Sequence, residues 1–167
     1  MTIRDARRSD FPQVLALNEE SVRFLSALTA EGLARLDAET AYHRVYEAEG
    51  RVSAFLMAFR EGATYDSPNY RWFAARYTNF LYIDRVVVST AVQGRGIGRL
   101  LYEDLFEYAK GSGADLVTCE FDVDPPNLPS RRFHEAFGFK EVGSQTVGPA
   151  SKRVSLQAVS VTASGTS

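Results

Sequence analysis

The 167 residues, 45% hydrophobic and 24% charged, are long enough for one globular domain with a full hydrophobic core. A formal net charge of −2 removes any general electrostatic case for nucleic acid or an anionic membrane as a partner. A single cysteine excludes an intramolecular disulfide, and no apolar run approaches the ~20 residues of a membrane span, so a cytoplasmic protein is expected.

The first residues, Met-Thr-Ile-Arg-Asp-Ala-Arg-Arg, lack the apolar segment of a signal peptide. Ile3 to Ala6 reads as a short strand, and Ser9 or Asp10 can cap a following helix with Pro12 in its first turn. Val14, Leu15, Leu17, Val22, Phe24 and Leu25 recur at helical spacing through that element. A second short helix fits Glu31 to Asp37. Tyr42–Ala48 and Val52–Phe59 read as a hairpin about Glu49-Gly50. Glu61 to Tyr77 then holds three tyrosines, a tryptophan, a phenylalanine and two arginines on an expected loop. Its rings can pack on the domain's own sheet, line a ligand pocket with Asp66 as counter-charge, or form a homodimer contact.

Phe80 to Val88 is the next strand, followed by a glycine-rich turn and an amphipathic helix to about Lys110. Leu116 to Val123 is a strand holding Cys119, a buried structural thiol on this reading, and Asp124-Pro125-Pro126 ends it. Ser130 to Ala136 is a helix closed by Gly138, and strands near Lys140–Val147 and Lys152–Val159 complete the chain. Two histidines and one cysteine are not spaced as a metal site, so no metal is expected.

The turn carries the most chemistry. In Gln93-Gly94-Arg95-Gly96-Ile97-Gly98-Arg99, glycines remove Cβ atoms where a backbone must bend sharply and approach a ligand closely. N–H groups of the turn and of the first helical turn converge there, and the helix dipole adds positive potential. Such a place binds an anion, phosphate above all, with Arg95 and Arg99 beside it. No Lys-Ser or Lys-Thr follows, as a P-loop needs, and the third glycine comes one residue early for a dinucleotide fold.

Strand, Gln-x-x-Gly-x-Gly and helix in that order resemble the acetyl-CoA pyrophosphate loop of the GNAT superfamily of N-acetyltransferases. Asn127, His134, Gly138 and Phe139 stand at the spacings of a second element of that family, with histidine where it usually has tyrosine. The resemblance covers about residues 1–158, leaving 159–167 as an expected frayed tail. It implies an α/β GNAT fold: one mixed, twisted sheet with splayed central strands and helices on both faces. It also implies direct transfer of an acetyl group from acetyl-CoA to a primary amine whose identity the chain does not disclose. Backbone groups of Val86, Val87 and Val88 would pair with the pantetheine arm, and Gln93 to Arg99 would cradle the pyrophosphate. Asn127 would contact the same ligand, although an Asn after Pro-Pro is equally a helix cap.

The tyrosine's implied role is to protonate the departing thiolate. His134 could do so as imidazolium, since an unperturbed histidine has a pKa near ~6.5, or could merely pack there. Three carboxylates are candidates for the base that deprotonates the amine. Glu120 and Asp122 share a strand face, and Asp84 precedes the valines. Positioning alone, with water as base, is the alternative. A CoA-binding sensor without turnover also fits, because the acid position departs from the family pattern.

Overall fold

The computed structural model describes residues 1–21, 27–124 and 126–161. Among these, seven strands form one mixed sheet: β1 (Thr2–Asp5), β2 (Tyr42–Ala48), β3 (Arg51–Arg60), β4 (Leu81–Val88), β5 (Leu116–Asp124), β6 (Lys140–Val147) and β7 (Lys152–Ser160). Their order is β1-β2-β3-β4-β5-β7-β6. Helices are α1 (Phe11–Glu20), α2 (Ala30–Glu39), α3 (Pro68–Ala74), α4 (Ile97–Gly111) and α5 (Leu128–Ala136). No helix among the described residues is long and apolar enough to cross a membrane. The chain forms two compact units, Met1–Phe59 with Ile83–Leu105, and Arg60–Tyr82 with Phe106 onward.

In the first unit, strand alternation assigns each side chain its layer. His43 and Val45 of β2 face α1 and α2: the His43 ring stacks near Phe11 at 6.3 Å, and its Nδ1 lies 2.8 Å from Asp37 Oδ1 on α2. Tyr42 and Arg44 face the other way, and both reach Asp104 of α4, at 2.7 and 2.8 Å. Val14, Leu17, Leu33, Val45, Phe55, Met57 and Val87 close the core under α1 and α2.

One expectation changes here. Asp10 stands at the N-cap position of α1, but its side chain makes no capping hydrogen bond. It ends a 3-10 turn, buried, where it accepts two hydrogen bonds from the Arg4 guanidinium and one from the Arg7 N–H. The Arg4 hydrogen bonds hold the Asp10 carboxyl below the usual carboxylate range. Helix α1 ends at Glu20, and the expected continuation through Val22, Phe24 and Leu25 falls outside the described residues.

In the second unit, β4 and β5 pair in parallel at Leu81↔Val117 and Tyr82↔Thr118, and β7 pairs antiparallel with both β5 and β6. The aromatic segment is not all loop. Ser67 accepts from the Tyr70 N–H, Pro68 occupies the first turn, and α3 runs to Ala74. Its spacing buries Tyr70 and Phe73 against Phe80 and Tyr82. The Tyr70 hydroxyl is satisfied by donating to the Arg60 carbonyl at 2.6 Å and accepting from the Ala63 N–H. Tyr70 therefore belongs to the core, and an acceptor-side role for this ring is set aside. At the chain's end, β7 passes the expected boundary at 158, and the buried Val161 donates its N–H to the Asp115 carbonyl. Residues 162–167 lie outside the described chain.

Trp72 fixes α3 to β6. Its six-membered ring occupies the space that a Cβ on Gly143 would need, and Arg76 covers the indole at 3.9 Å from its centre. Gly143→Ala forces a methyl group into that ring, an overpacking that costs about 1–3 kcal/mol. The melting temperature of Gly143→Ala should fall by about 2–4 °C per kcal/mol, and the same substitution made in a Trp72→Ala background should cost less than it does in wild type. A Gly143→Ala protein that melts with wild type would contradict this packing.

Candidate functional site

In the first unit, the segment after β4 is a 3-10 turn, Thr90–Val92, and then the glycine turn that opens α4. Gly94 and Gly96 take φ of +82° and +76°. A Cβ on either would meet nothing within 4 Å, so it is the left-handed backbone, not crowding, that demands glycine. The surface over the two residues stays clear for a ligand, and glycine turns of this kind aim successive N–H groups into one concavity. Gln93, Arg95 and Arg99 are exposed beside it, with Arg99 in a loose surface pair with Glu103 at 3.3 Å.

Not every residue expected at the turn is available in the same way. Ile97 is buried, so its side chain anchors the helix. Gly98 packs its α-carbon region 3.9 Å from Val88, measured to an added Cβ. Val87 points into the core, leaving its backbone as the group of interest. The Val88 carbonyl already accepts from the Gln93 amide at 3.2 Å.

Asp84 is also in this unit. Its carboxylate lies 2.6 Å from Arg85 Nε, with side-chain exposures of 6% and 5%, and Arg85 donates onward to Asn18. Loss of either partner of a buried ion pair strands the other charge.

The second unit holds the remaining candidates. The Tyr82 hydroxyl donates to Glu120 Oε1 at 2.6 Å and lies 3.1 Å from Oε2. Asn69 of α3 donates to the same Oε1 at 2.8 Å, and Gln145 of β6 donates to the Asn69 carbonyl oxygen at 2.8 Å. Asp122 instead meets a cation, Lys152, at 3.6 Å. Asn127 caps α5, accepting from the Ser130 N–H at 3.2 Å.

His134 is buried against Phe121, Phe133 and Phe139. Its Nδ1 is 2.7 Å from the Ser130 carbonyl, which can only accept, so Nδ1 carries a proton. Burial pushes its pKa below the ordinary histidine value, against a smaller upward pull from that hydrogen bond. With Nδ1 protonated toward the Ser130 carbonyl, the neutral ring has no proton at Nε2, so a proton-donating role needs the imidazolium, the form that burial disfavours. Glu120 and Phe121 are adjacent on a strand and so point to opposite faces: Glu120 toward α3, Phe121 toward His134. The Glu120 carboxylate and His134 therefore lie on opposite faces of β5.

Cys119 is buried and its thiol is pushed up by desolvation, which fits a structural residue. Asn69 and Gln145 were not foreseen. They stand 76 residues apart, and no local pattern in either segment announces the contact.

The family model described as Acetyltransferase (GNAT) family matches residues 2–139. This chain belongs to that family. A phosphinothricin N-acetyltransferase of Streptomyces coelicolor is 41% identical over 59 residues, a match spanning 35% of this chain and 33% of that protein. The fold is that of Ard1 from Thermoplasma volcanium, at TM-score 0.78 and 17% identity over 95% of this chain and 96% of that one. It is also that of a ribosomal-protein-alanine N-acetyltransferase from Brucella melitensis, at TM-score 0.74 and 20% identity over 96% and 99%. The yncA protein of Salmonella typhimurium, solved with acetyl-CoA, matches at TM-score 0.74 and 21% identity over 96% and 94%.

The state of His134 is directly measurable. In an NMR titration its midpoint should lie below the ordinary value of ~6.5, with Nδ1 as the protonated nitrogen of the neutral ring. A midpoint above that value would return His134 to the acid role.

Proposed function

We propose that this chain is an acetyl-CoA-dependent N-acetyltransferase that passes an acetyl group directly to a primary amine. The observation that carries the reading is the glycine turn, with Gly94 and Gly96 left-handed, their outer side clear, and α4 beginning at once. Residues present there fit a diphosphate. Backbone N–H groups from Gly94 to Gly98 would hold it, Arg95 and Arg99 would add charge, and the dipole of α4 would add potential. Backbone groups of Val86 to Val88 would serve the pantetheine arm. When bound, acetyl-CoA supplies an activated acyl group.

An acceptor amine arrives mainly as ammonium and must lose a proton before it can attack. Of the three carboxylates, Asp84 is held by a buried guanidinium and Asp122 by an ammonium. Glu120 takes its hydrogen bonds from a phenol and a primary amide. We assign the proton-accepting role to Glu120 and leave Asp84 and Asp122 as structural charges. Asn127 keeps its capping role, and His134 forms part of the wall beneath α5.

The acceptor is a question of pocket shape and charge, which the fold alone does not choose. The short match to a phosphinothricin N-acetyltransferase makes phosphinothricin the first acceptor to try, beside an alanyl peptide and a polyamine.

Calorimetry should show CoA binding to wild type and none to Gly96→Glu, which sets a side chain and a negative charge in the cradle at φ +76°. Equal affinity in the two proteins would remove the CoA assignment.

Glu120→Gln should lower turnover of an accepted amine by about 10²–10⁴ in a thiol-release assay, with CoA affinity kept. Unchanged turnover would discard Glu120 as the base. CoA binding without thiol release from any amine would favour the sensor reading.

A further inference from the structure

We propose that the face of β5, β7 and β6 turned away from α3 binds a small zwitterion of the amino-acid type, its anionic group on Arg153 and its ammonium on Glu141. The inference concerns binding within the second unit and stands apart from the acetyl-transfer reading.

Strand register brings the groups together. Phe121 pairs with Ser155, and Ser155 pairs with Ser144, so the three share one face. Plain alternation would send Asp124 to the other face, with Glu120 and Asp122. An irregularity between Asp122 and Asp124 instead sets Asp124 opposite Arg153. Val123, Asp124, Glu141, Ser144 and Arg153 then line one open groove of about 460 Å³.

Glu141 is held from below by two buried polar side chains. Ser155 and Gln157 are only 2% and 5% exposed. The Ser155 hydroxyl donates to Glu141 Oε2 at 2.5 Å. An ionised carboxylate can only accept, so the one hydroxyl proton is spent there, and Ser155 Oγ takes the Gln157 Nε2–H at 2.6 Å. A buried amide and hydroxyl are costly unless paired, and here their pairing ends on an acid that water alone would have satisfied. Glu141 Oε1 has no hydrogen-bond or ion-pair partner among the described residues.

Arg153 supplies the opposite charge. It is exposed, and among the described residues its guanidinium makes no hydrogen bond or ion pair, although the equally unpaired Asp124 stands across from it on β5. A guanidinium offers a planar fork of donors that fits a carboxylate with two parallel hydrogen bonds. Ser155, which pins the Glu141 carboxylate, lies two residues from Arg153 on β7, about 6.5 Å along the strand. One small molecule with an ammonium and a carboxylate a few bonds apart bridges such a gap. A dicarboxylate would set like charge against Glu141, and a diamine would leave Arg153 unmet. Because Asp124 adds a second acid to the groove, a diamino acid finds a partner for each of its charges.

Calorimetry on the full chain without CoA tests this with lysine, alanine, cadaverine and succinate. Lysine should bind, and cadaverine, which is lysine without its carboxylate, should bind about tenfold or more weaker, as should succinate. Alanine binding beside lysine identifies the shared zwitterion as the ligand chemistry, and binding of lysine alone identifies a diamino acid. Arg153→Ala and Glu141→Gln should each weaken lysine about tenfold or more while melting with wild type, since both side chains are exposed. Gly96→Glu should bind lysine as wild type does, which separates this groove from the glycine turn. No heat from either amino acid at millimolar concentration overturns the inference. Cadaverine or succinate matching lysine overturns it too, as does lysine affinity unchanged in Arg153→Ala and Glu141→Gln.

Discussion

The hydrogen bond from Tyr82 to Glu120 is the constraint on which the second unit depends. A fully buried phenol needs an acceptor, because an unmet hydroxyl in an apolar layer costs about 1–3 kcal/mol. Tyr82 is enclosed by Tyr70 and Phe73, with ring centres 5.7 and 5.8 Å away, so the core of α3 is built around it. Glu120 answers the hydroxyl from the neighbouring strand. Because that acceptor is a carboxylate, the same contact that completes the core also places a carboxylate on β5, and Asn69 and, through it, Gln145 turn their amide N–H groups toward it.

The distinctive geometry of the first unit lies instead in its backbone. Side chains at the glycine turn are exposed or, for Ile97, committed to the core. What the turn offers is a left-handed pair of glycines and the start of α4. A backbone site of this kind is tolerant of neighbours but intolerant of any Cβ at the two glycines, whereas the Glu120 network depends on four particular side chains. Strand alternation adds a further limit, since it puts Glu120 toward α3 and Phe121 toward His134, and no change of rotamer brings the carboxylate and the imidazole to one face.

Sequence alone determined what depends on neighbours in the chain. The valine run of β4, the glycine turn, the hairpin of β2 and β3 and the start of α5 rest on period, turn chemistry and capping, all of which act within a few residues. Helix α3 was equally local, announced by Ser67-Pro68, but its seven residues are too few for a helical period to stand out among so many rings. Tertiary structure decided how polar groups are spent, because their partners come from far along the chain. Arg4 claimed Asp10 from the expected cap, the Ser130 carbonyl settled the proton on His134, and Arg85 and Lys152 took two of three candidate carboxylates. Glu120 was legible only as one of two acids on a shared face. Its distinction came from Tyr82, Asn69 and, through Asn69, Gln145, which no local rule connects, since a buried hydrogen bond depends on distance in space and not on separation in sequence.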